Sequence, residues 1–539
     1  MRSGPAPIDR AGVPGGLARA GLFVAGAVLA SRLLGWLRVV IITATFGATP
    51  ELDAYFAAFR VPDALFQLVA GGVLSSVLIP EIVRRQGRHA GEAWRMVTAV
   101  GSILVGGLSL LLVLAALFAP QLTAAIAPGF SGEQQELMVD LTRLMLISPL
   151  CFLIGAVAAS VLNAEGRFGA AAVAPIAYNG AIIVASLTLA PWMGVHGLAI
   201  GVVSGAILFA VVQIAFAFRR TSFALHRVGP GMLSDALDVL PRLGPRTIGL
   251  AGTQMVLIVT TMLATGMGTG AVTAYTLAFT TLTIPVGLVG VPLGIVIFPS
   301  LARASADGLA AEYRRLLHVA LRMALWVAAP IVAAGIVLAP EITTSLFGHG
   351  AIGAGTLATV AATVTWFFLG VPAHSMNLVL ARAFYAVQDT RTPVLLALCQ
   401  TVVAVGSASL ASTWIGVPGI AAGVALGAWV KAVALAAILD RRGLLRGGDV
   451  VRRLPALALL ATIGGVSAWG SAAAIDAVLG EPGIGSALAT TLVGGSVLFG
   501  TFAAGSAMLR MPELDSSRDV VRRGLESVRR RISGRSRGE

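Results

Sequence analysis

The chain is 539 residues long, 57% hydrophobic and 12% charged, with a mean hydropathy of +0.89. Soluble domains usually carry about twice that share of charge, so these few charges could not cover a soluble protein of this size. A net charge of +13 and a pI of about 11.1 would suggest nucleic acid in a soluble protein. Here the basic residues sit mostly between apolar runs, so membrane orientation accounts for them and no nucleic-acid partner is expected.

Apolar runs of about 20 residues recur from Leu22 to Leu509, each long enough to cross ~30 Å of hydrocarbon as a helix. They are continuous rather than alternating, which argues against a β-barrel. The expected fold is an all-α polytopic membrane protein of about fourteen transmembrane helices. In chain order, a cytoplasmic tail over 1–17 precedes an apolar run from Ala18 to Phe46, which is too long for a signal peptide and lacks a small-residue cleavage site. Segments one to six fill 18–219, a cytoplasmic linker spans 220–244, and segments seven to twelve fill 245–440. Two more segments lie in 451–509, before a basic cytoplasmic tail over 510–539.

The connections alternate in charge. Basic ones are Arg84 to Arg95, Arg167, Arg219 to Arg246, Arg303 to Arg315, Arg391, Arg441 to Arg453, and the tail. Those between them, such as Pro120 to Gln135 and Pro340 to Gly353, contain no Lys or Arg. By the positive-inside rule both termini lie in the cytoplasm. Arg143, near the outer end of the fourth segment, is the exception and is expected to snorkel to the interface.

The two halves resemble each other. Val77 to Arg84 matches Val296 to Arg303, with Pro80 and Pro299 219 residues apart. Gly194 to Gly201 matches Gly416 to Gly423, and the turns at Asn163 and Tyr385 correspond, both at an offset of 222. Each repeat holds an even number of helices, so the halves share one orientation, a parallel repeat of the kind that encloses a central cavity in transporters. The last two segments fall outside it.

Charges inside spans cost about 2.5–3.5 kcal/mol each on insertion scales and so mark candidate sites. The first segment carries Arg32 and Arg38, and the second carries Asp53, Arg60 and Asp63. Arg32, Arg38 and Arg60 lining a wet cavity would bind a polyanion, because guanidinium groups pair with phosphate oxygens. Asp53 and Asp63 would hold these arginines or take a coupling monovalent cation or proton. The second half offers Arg246, Gln254 and threonines such as Thr280, so its side of the cavity is weaker in charge. His374, Asn377, Arg382 and Lys431 are read as structural. Cys151 and Cys399, both in apolar runs, are read as buried inert thiols. No phosphate-binding Gly-Lys-Ser/Thr loop, metal-spaced cluster or nucleophile elbow is present, so neither enzymatic activity nor a cofactor is expected. Val520, Val521, Leu525, Val528 and Ile532 recur at near-helical spacing among arginines, so the tail reads either as a basic helix on anionic lipid or as a solvated tail.

Several motifs together resemble the MurJ/MviN family, the lipid II flippases of the multidrug/oligosaccharidyl-lipid/polysaccharide exporter superfamily. They are Ser31 to Arg38 with Phe46-Gly47; Asp53 to Pro62 leading to Gly72 and Pro80; Leu162 to Phe168 with Pro175 and Asn179; Pro285 through Pro299; and Arg382 to Pro393. The resemblance implies two six-helix lobes plus two helices that form a groove for a lipid tail. It implies a bacterial inner-membrane flippase that moves undecaprenyl-pyrophosphate-linked peptidoglycan precursor, lipid II, to the outer leaflet. Arg32, Arg38, Asp53 and Arg60 fall on functional positions of the family. This chain departs from many members at Phe66 and Gln67, where they carry an arginine pair, and at Gly71, where they carry an acidic residue. It also departs at Val39, where they have Asp, and near Thr280, where they have an arginine. Alternatives are a flippase for another polyprenyl-linked glycan, a non-transporting scaffold that recruits cell-wall synthesis proteins, and a cation-coupled drug exporter, which would favour an acidic cavity. A polyprenyl-dependent glycosyltransferase would need acidic catalytic residues in a sizeable outer loop, and the outer loops are short.

Overall fold

A computed structural model describes residues 15–70, 73–86, 90–221, 223–226, 244–479, 483–515 and 518. Most of the expected N-terminal tail, much of the linker over 220–244, Gly71 and nearly all of the basic C-terminal tail lie outside the described residues.

The described chain is all helical. Its helices are α1 (Gly15–Phe46), α2 (Pro50–Ala58), α3 (Arg60–Ala70), α4 (Val73–Gln86), α5 (Ala90–Leu117), α6 (Ala119–Ile126), α7 (Gly132–Met145), α8 (Ile147–Ala164), α9 (Phe168–Thr188), α10 (Ala190–Met193) and α11 (Val195–Arg220). They continue with α12 (Gly244–Thr265), α13 (Ala271–Ala306), α14 (Ala310–Val337), α15 (Ala339–Phe347), α16 (Ala354–Ala386), α17 (Arg391–Ile415), α18 (Val417–Arg441), α19 (Gly447–Val451), α20 (Leu454–Leu479) and α21 (Ile484–Met508). Among the described residues, twelve helical stretches are long and apolar enough to cross a membrane. The expected second and seventh spans are not among the twelve. The second is interrupted by a turn at Phe59. Pro62 explains the interruption, since it cannot donate to the carbonyl of Ala58 and its ring crowds that carbonyl. For the seventh, α12, the side chains are described only from Ala251 to Thr265.

The chain divides into two compact units. The first comprises Met1–Ile42, Ala58–Thr123 and Glu136–Leu250, and the second comprises Thr43–Ala57, Ala124–Gln135 and Ala251–Glu539. In the first unit, α8, α9 and α11 pack around Ala158, Leu162, Ala170 and Ala217. Arg143 does not stay unpaired there, because its Nε donates to the carbonyl of Ala116 at 3.2 Å. In the second unit, α13, α14, α16 and α18 share a larger core that includes Leu301, Tyr313, Leu321, Phe384 and Leu435. Tyr313 donates its hydroxyl to the carbonyl of Ala383 at 2.7 Å inside that core. After α21 the chain turns back. Met511 and Leu514 are buried, and Glu513 sits 3.2 Å from the Nε of Arg322, so the root of the tail is tied to α14.

The repeat is visible in the backbone itself. Gly194 and Gly416, which cap α11 and α18, have φ/ψ of 58°/−141° and 66°/−141°. At the turn near Asn163 the positive-φ residue is Gly166, and its counterpart 222 residues on is Gln388, with φ 61°. Three glycines four apart then line each helix: Gly197, Gly201 and Gly205 on α11, and Gly419, Gly423 and Gly427 on α18. A Cβ at Gly205 would lie 2.8 Å from the Tyr178 carbonyl, and one at Gly427 would lie 2.8 Å from the Cβ of Ala404. In lipid, where apolar burial does not drive helices together, such small-residue approach does. Trp192 and Trp414, also 222 apart, are 87% and 76% exposed at helix ends, as interfacial anchors are.

Cys399 differs from its expected state. It is exposed on α17, and Cys151 is only half-buried. The reason is that an apolar residue in a membrane helix need not face protein, and only 11% of the α17 span is buried.

Asp389, in the turn before α17, accepts hydrogen bonds from the Thr392 N–H at 3.0 Å, the Thr392 hydroxyl at 2.7 Å and Arg442 at 2.8 Å. Burial pushes its carboxyl up, but these hydrogen bonds and the Arg442 charge outweigh it and hold the group below the usual carboxylate range. A lowered folded-state pKa contributes stability above the unfolded value and loses it as pH falls through the folded one. Asp389→Ala is therefore expected to cost about 1 kcal/mol at neutral pH. The difference from wild type should vanish once the carboxyl is protonated, in thermal unfolding followed from pH 7 downward.

Candidate functional site

The seven expected site residues divide between the units. Arg32, Arg38, Arg60 and Asp63 belong to the first, and Asp53, Gln254 and Thr280 to the second.

In the first unit, α1 carries Arg32 and Arg38. Six residues of helix separate them by about 9 Å along the axis and about 120° around it. Their environments differ accordingly, since Arg32 is exposed and Arg38 half-buried. The Arg38 guanidinium lies over the ring of Tyr178 on α9, 5.6 Å from its centroid. Asp63 acts electrostatically on the same phenol. The next residue, Asn179, donates to the carbonyl of Ser31 at 3.3 Å, and Gly35 leaves room for its amide beside α1. Arg60, half-buried, opens α3 at the break in the second segment.

Tyr178 belongs to an aromatic cluster. Its ring meets Phe152 edge-on at 5.1 Å, and Phe152 touches both Phe66 and Phe209 at 5.4 Å. Phe66, one of the departures that the resemblance marks, makes an aromatic contact at this position. Val39, another departure, is 6% exposed and packed in the core. Sequence reasoning overlooked Tyr178. The signal available was that it is one of only five tyrosines and lies inside an apolar run beside Asn179.

In the second unit, Asp53 is 1% exposed. Its Oδ2 accepts the Gly270 N–H at 2.6 Å, and its Oδ1 accepts the Thr273 N–H at 2.8 Å and the Thr273 hydroxyl at 2.6 Å. Asp53 thus caps the N-terminus of α13 from a distant part of the chain, satisfying N–H groups that have no partner within the helix. The same corner holds Ala351, whose N–H donates to the Ala44 carbonyl at 3.0 Å, and Gln134, which donates to the Pro50 carbonyl at 2.8 Å. Gln254 is buried on α12, and the Thr280 hydroxyl is bonded to the Thr276 carbonyl of its own helix at 2.8 Å.

Arg38 is held by Tyr178 in two ways, over its ring and by a hydrogen bond to its hydroxyl, which leaves its other N–H groups for an anionic oxygen. If the ring positions the guanidinium, Tyr178→Phe, which loses only the hydroxyl contact, should reduce transport less than Tyr178→Leu, whose loss should be about twofold to thirtyfold, corresponding to the ~0.5–2 kcal/mol of a cation–π contact. Initial rates in proteoliposomes at matched protein content would distinguish the two variants.

The family model for lipid II flippase MurJ matches residues 42–478. The chain belongs to the lipid II flippase MurJ family. A lipid II flippase MurJ from Burkholderia cenocepacia is 32% identical over 438 residues, covering 79% of this chain and 84% of that protein. A probable lipid II flippase MurJ from Rhizobium meliloti is 30% identical over 451 residues, covering 82% and 84%. A solved lipid II flippase MurJ in an inward closed conformation has the same fold, with a TM-score of 0.76 at 20% identity over 90% of this chain and 99% of that one. An inward-facing multidrug resistance MATE family transporter matches with a TM-score of 0.64 at 18% identity over 78% of this chain. Membership of the MurJ family, with twelve apolar helical stretches, makes this a multi-pass protein of the bacterial inner membrane.

Proposed function

We propose that the chain is a lipid II flippase, a transporter and not an enzyme, which carries the undecaprenyl-pyrophosphate-linked precursor from the inner to the outer leaflet by alternating access. The observation that carries this reading is the family match, which runs through both halves and not through one motif. In this reading Arg32, Arg38 and Arg60 receive the pyrophosphate, as guanidinium forks suit paired phosphate oxygens. Asp53 holds the start of α13, and Asp63 acts beside Arg38. Gln254 and Thr280 are the weaker candidates for the substrate path. The chain crosses the membrane fourteen times with both termini in the cytoplasm, and the two helices beyond the repeat, α20 and α21, serve the lipid tail. A monovalent cation or proton drives the cycle, and cell-wall synthesis proteins are partners at the cytoplasmic face.

A second reading, a flippase for another polyprenyl-linked glycan, is favoured by one feature: Phe66 contributes an aromatic surface, not a charge, beside Phe152. The deciding experiment is expression in a bacterium depleted of its own lipid II flippase, with lipid II on the outer leaflet as the readout. Restored accessibility is expected. Well-inserted protein with no restoration would reject lipid II and favour the second reading.

A further inference from the structure

The repeat, the arginines and the capping carboxylate leave a polar cluster in the second unit unused, between α16 and α18. Three contacts bring these helices together. Trp429 donates its Nε1 to the Leu369 carbonyl at 2.9 Å, and Asn377 donates its Nδ2 to the Ala428 carbonyl at 2.9 Å. Gly370 admits Ala425, since a Cβ there would lie 3.0 Å from the Ala425 Cβ. His374 lies between Gly370 and Asn377 on one helix, and Lys431 lies one turn beyond Ala428 on the other. His374 and Lys431 each lie three residues from the Asn377–Ala428 contact, which sets both on this helix pair.

Two buried polar atoms in this cluster have no hydrogen-bond partner, His374 Nε2 and Asn377 Oδ1. The Asn377 amide is oriented by its bond to Ala428, so the free atom is its oxygen, an acceptor. His374 and Asn377 are three residues apart and share a helix face. Among the described residues no hydrogen bond or ion pair joins a carboxylate to His374 or Lys431, and Glu341, on α15 against α16, has contacts of its own. Asp440, further along α18, accepts the Gly447 N–H at 2.7 Å, and Glu312 on α14 is paired with Arg315 at 2.8 Å. Of the other titratable groups on helices packed here, Tyr313 is bonded to Ala383, His318 to the carbonyls of Arg314 and Arg446, and Arg322 pairs with Glu513. Tyr275 on α13 lies against Phe279 and Phe367, and Arg382 on α16 donates to the Leu378 carbonyl. On α17, Cys399 is exposed.

An ammonium and an imidazolium at membrane depth with no counter-charge repel each other and both lose hydration, so the pair holds at most one proton. An unpartnered acceptor oxygen beside them favours a donor and disfavours an anion. We propose that His374 and Lys431, with Asn377 as acceptor, form a proton-binding site that loads and unloads one proton during transport. The proton comes from water and returns to water, and the charge of the pair alternates between zero and +1. The transport clause rests on the flippase reading, whereas the binding clause does not.

Proton binding is measured first, by difference titration of the purified full-length chain in nanodiscs without lipid II. Wild type is expected to take up one proton across about pH 4 to 9 that K431R, whose guanidinium stays charged, does not, and H374Q, which keeps Lys431, is expected to take up its proton over a different pH range from wild type. Superimposable titrations of all three folded proteins would overturn the site. A titration that shifts when chloride is replaced by gluconate, and does so only with Lys431 present, would make it an anion site and also overturn it. Transport is then measured in proteoliposomes containing lipid II. A pH gradient should change the wild-type rate by at least about fivefold, the lower range of site–site coupling, leave K431R unresponsive, and act on H374Q over a shifted pH range. Equal responses in all three would reject the coupling. Lost proton binding without lipid II movement in any protein would reject the flippase reading alone.

Discussion

Arg38→Ala is expected to lower lipid II exposure on the outer leaflet by about tenfold or more while the protein inserts and stays folded. Arg38 loses little structural support for its neighbours when removed, because Tyr178 remains packed against Phe152 and α1 remains tied to Asn179. What disappears is a guanidinium whose orientation is already fixed 5.6 Å above a ring. Removing one partner of a desolvated charge pair costs about 2–5 kcal/mol, and each 1.4 kcal/mol is about tenfold. Arg38→Lys should fall between the two, since an ammonium keeps the charge but not the flat face or the paired donors. Arg32→Ala and Arg60→Ala at matched expression complete the measurement. If lipid II exposure survives all three substitutions, the proposed pyrophosphate site is wrong and the substrate assignment stands without it.

Asp53→Ala is expected to destabilise the second unit by roughly 3–5 kcal/mol, because it strips a buried helix terminus of its partner. Three donors would lose their acceptor at once: the N–H groups of Gly270 and Thr273 and the Thr273 hydroxyl. The favourable interaction of a carboxylate with the N-terminus of α13 is lost as well. Asp53→Asn should rescue little, since an amide can present its oxygen to Thr273 only by turning its NH2 toward the Gly270 N–H. Thr273→Val, which removes one hydroxyl bond and keeps both backbone ones, should cost about 1.5–3 kcal/mol. Thermal unfolding of the purified variants, alongside yield from the membrane, gives the ranking. Equal stability of Asp53→Ala and wild type would show that the cap is dispensable and would return Asp53 to consideration as a ligand.

The features legible in the sequence are those carried by local pattern. Hydrophobic run length selects spanning helices because each backbone polar group in lipid must be satisfied within its own segment. The 222-residue offset survives as matched backbone angles at Gly194 and Gly416, because a turn conformation is encoded by the few residues that make it. Membrane-embedded arginines are conspicuous because their insertion is costly wherever they point.

What only the tertiary structure decided concerns partners far apart in the chain. Asp53 looks like a free intramembrane charge until Gly270 and Thr273, 217 and 220 residues away, claim both of its oxygens. Tyr178 reads as one more apolar-run aromatic until α1 lays Arg38 on its ring, and Phe66 reads as a missing charge until Phe152 meets it. His374 and Lys431 likewise fall on one helix pair only because α16 and α18 are clasped at Gly370 and Ala428. A residue's cost of burial is written in its own chemistry, but the donor or ring that offsets that cost is set by which helices pack together, and that is decided by the fold as a whole.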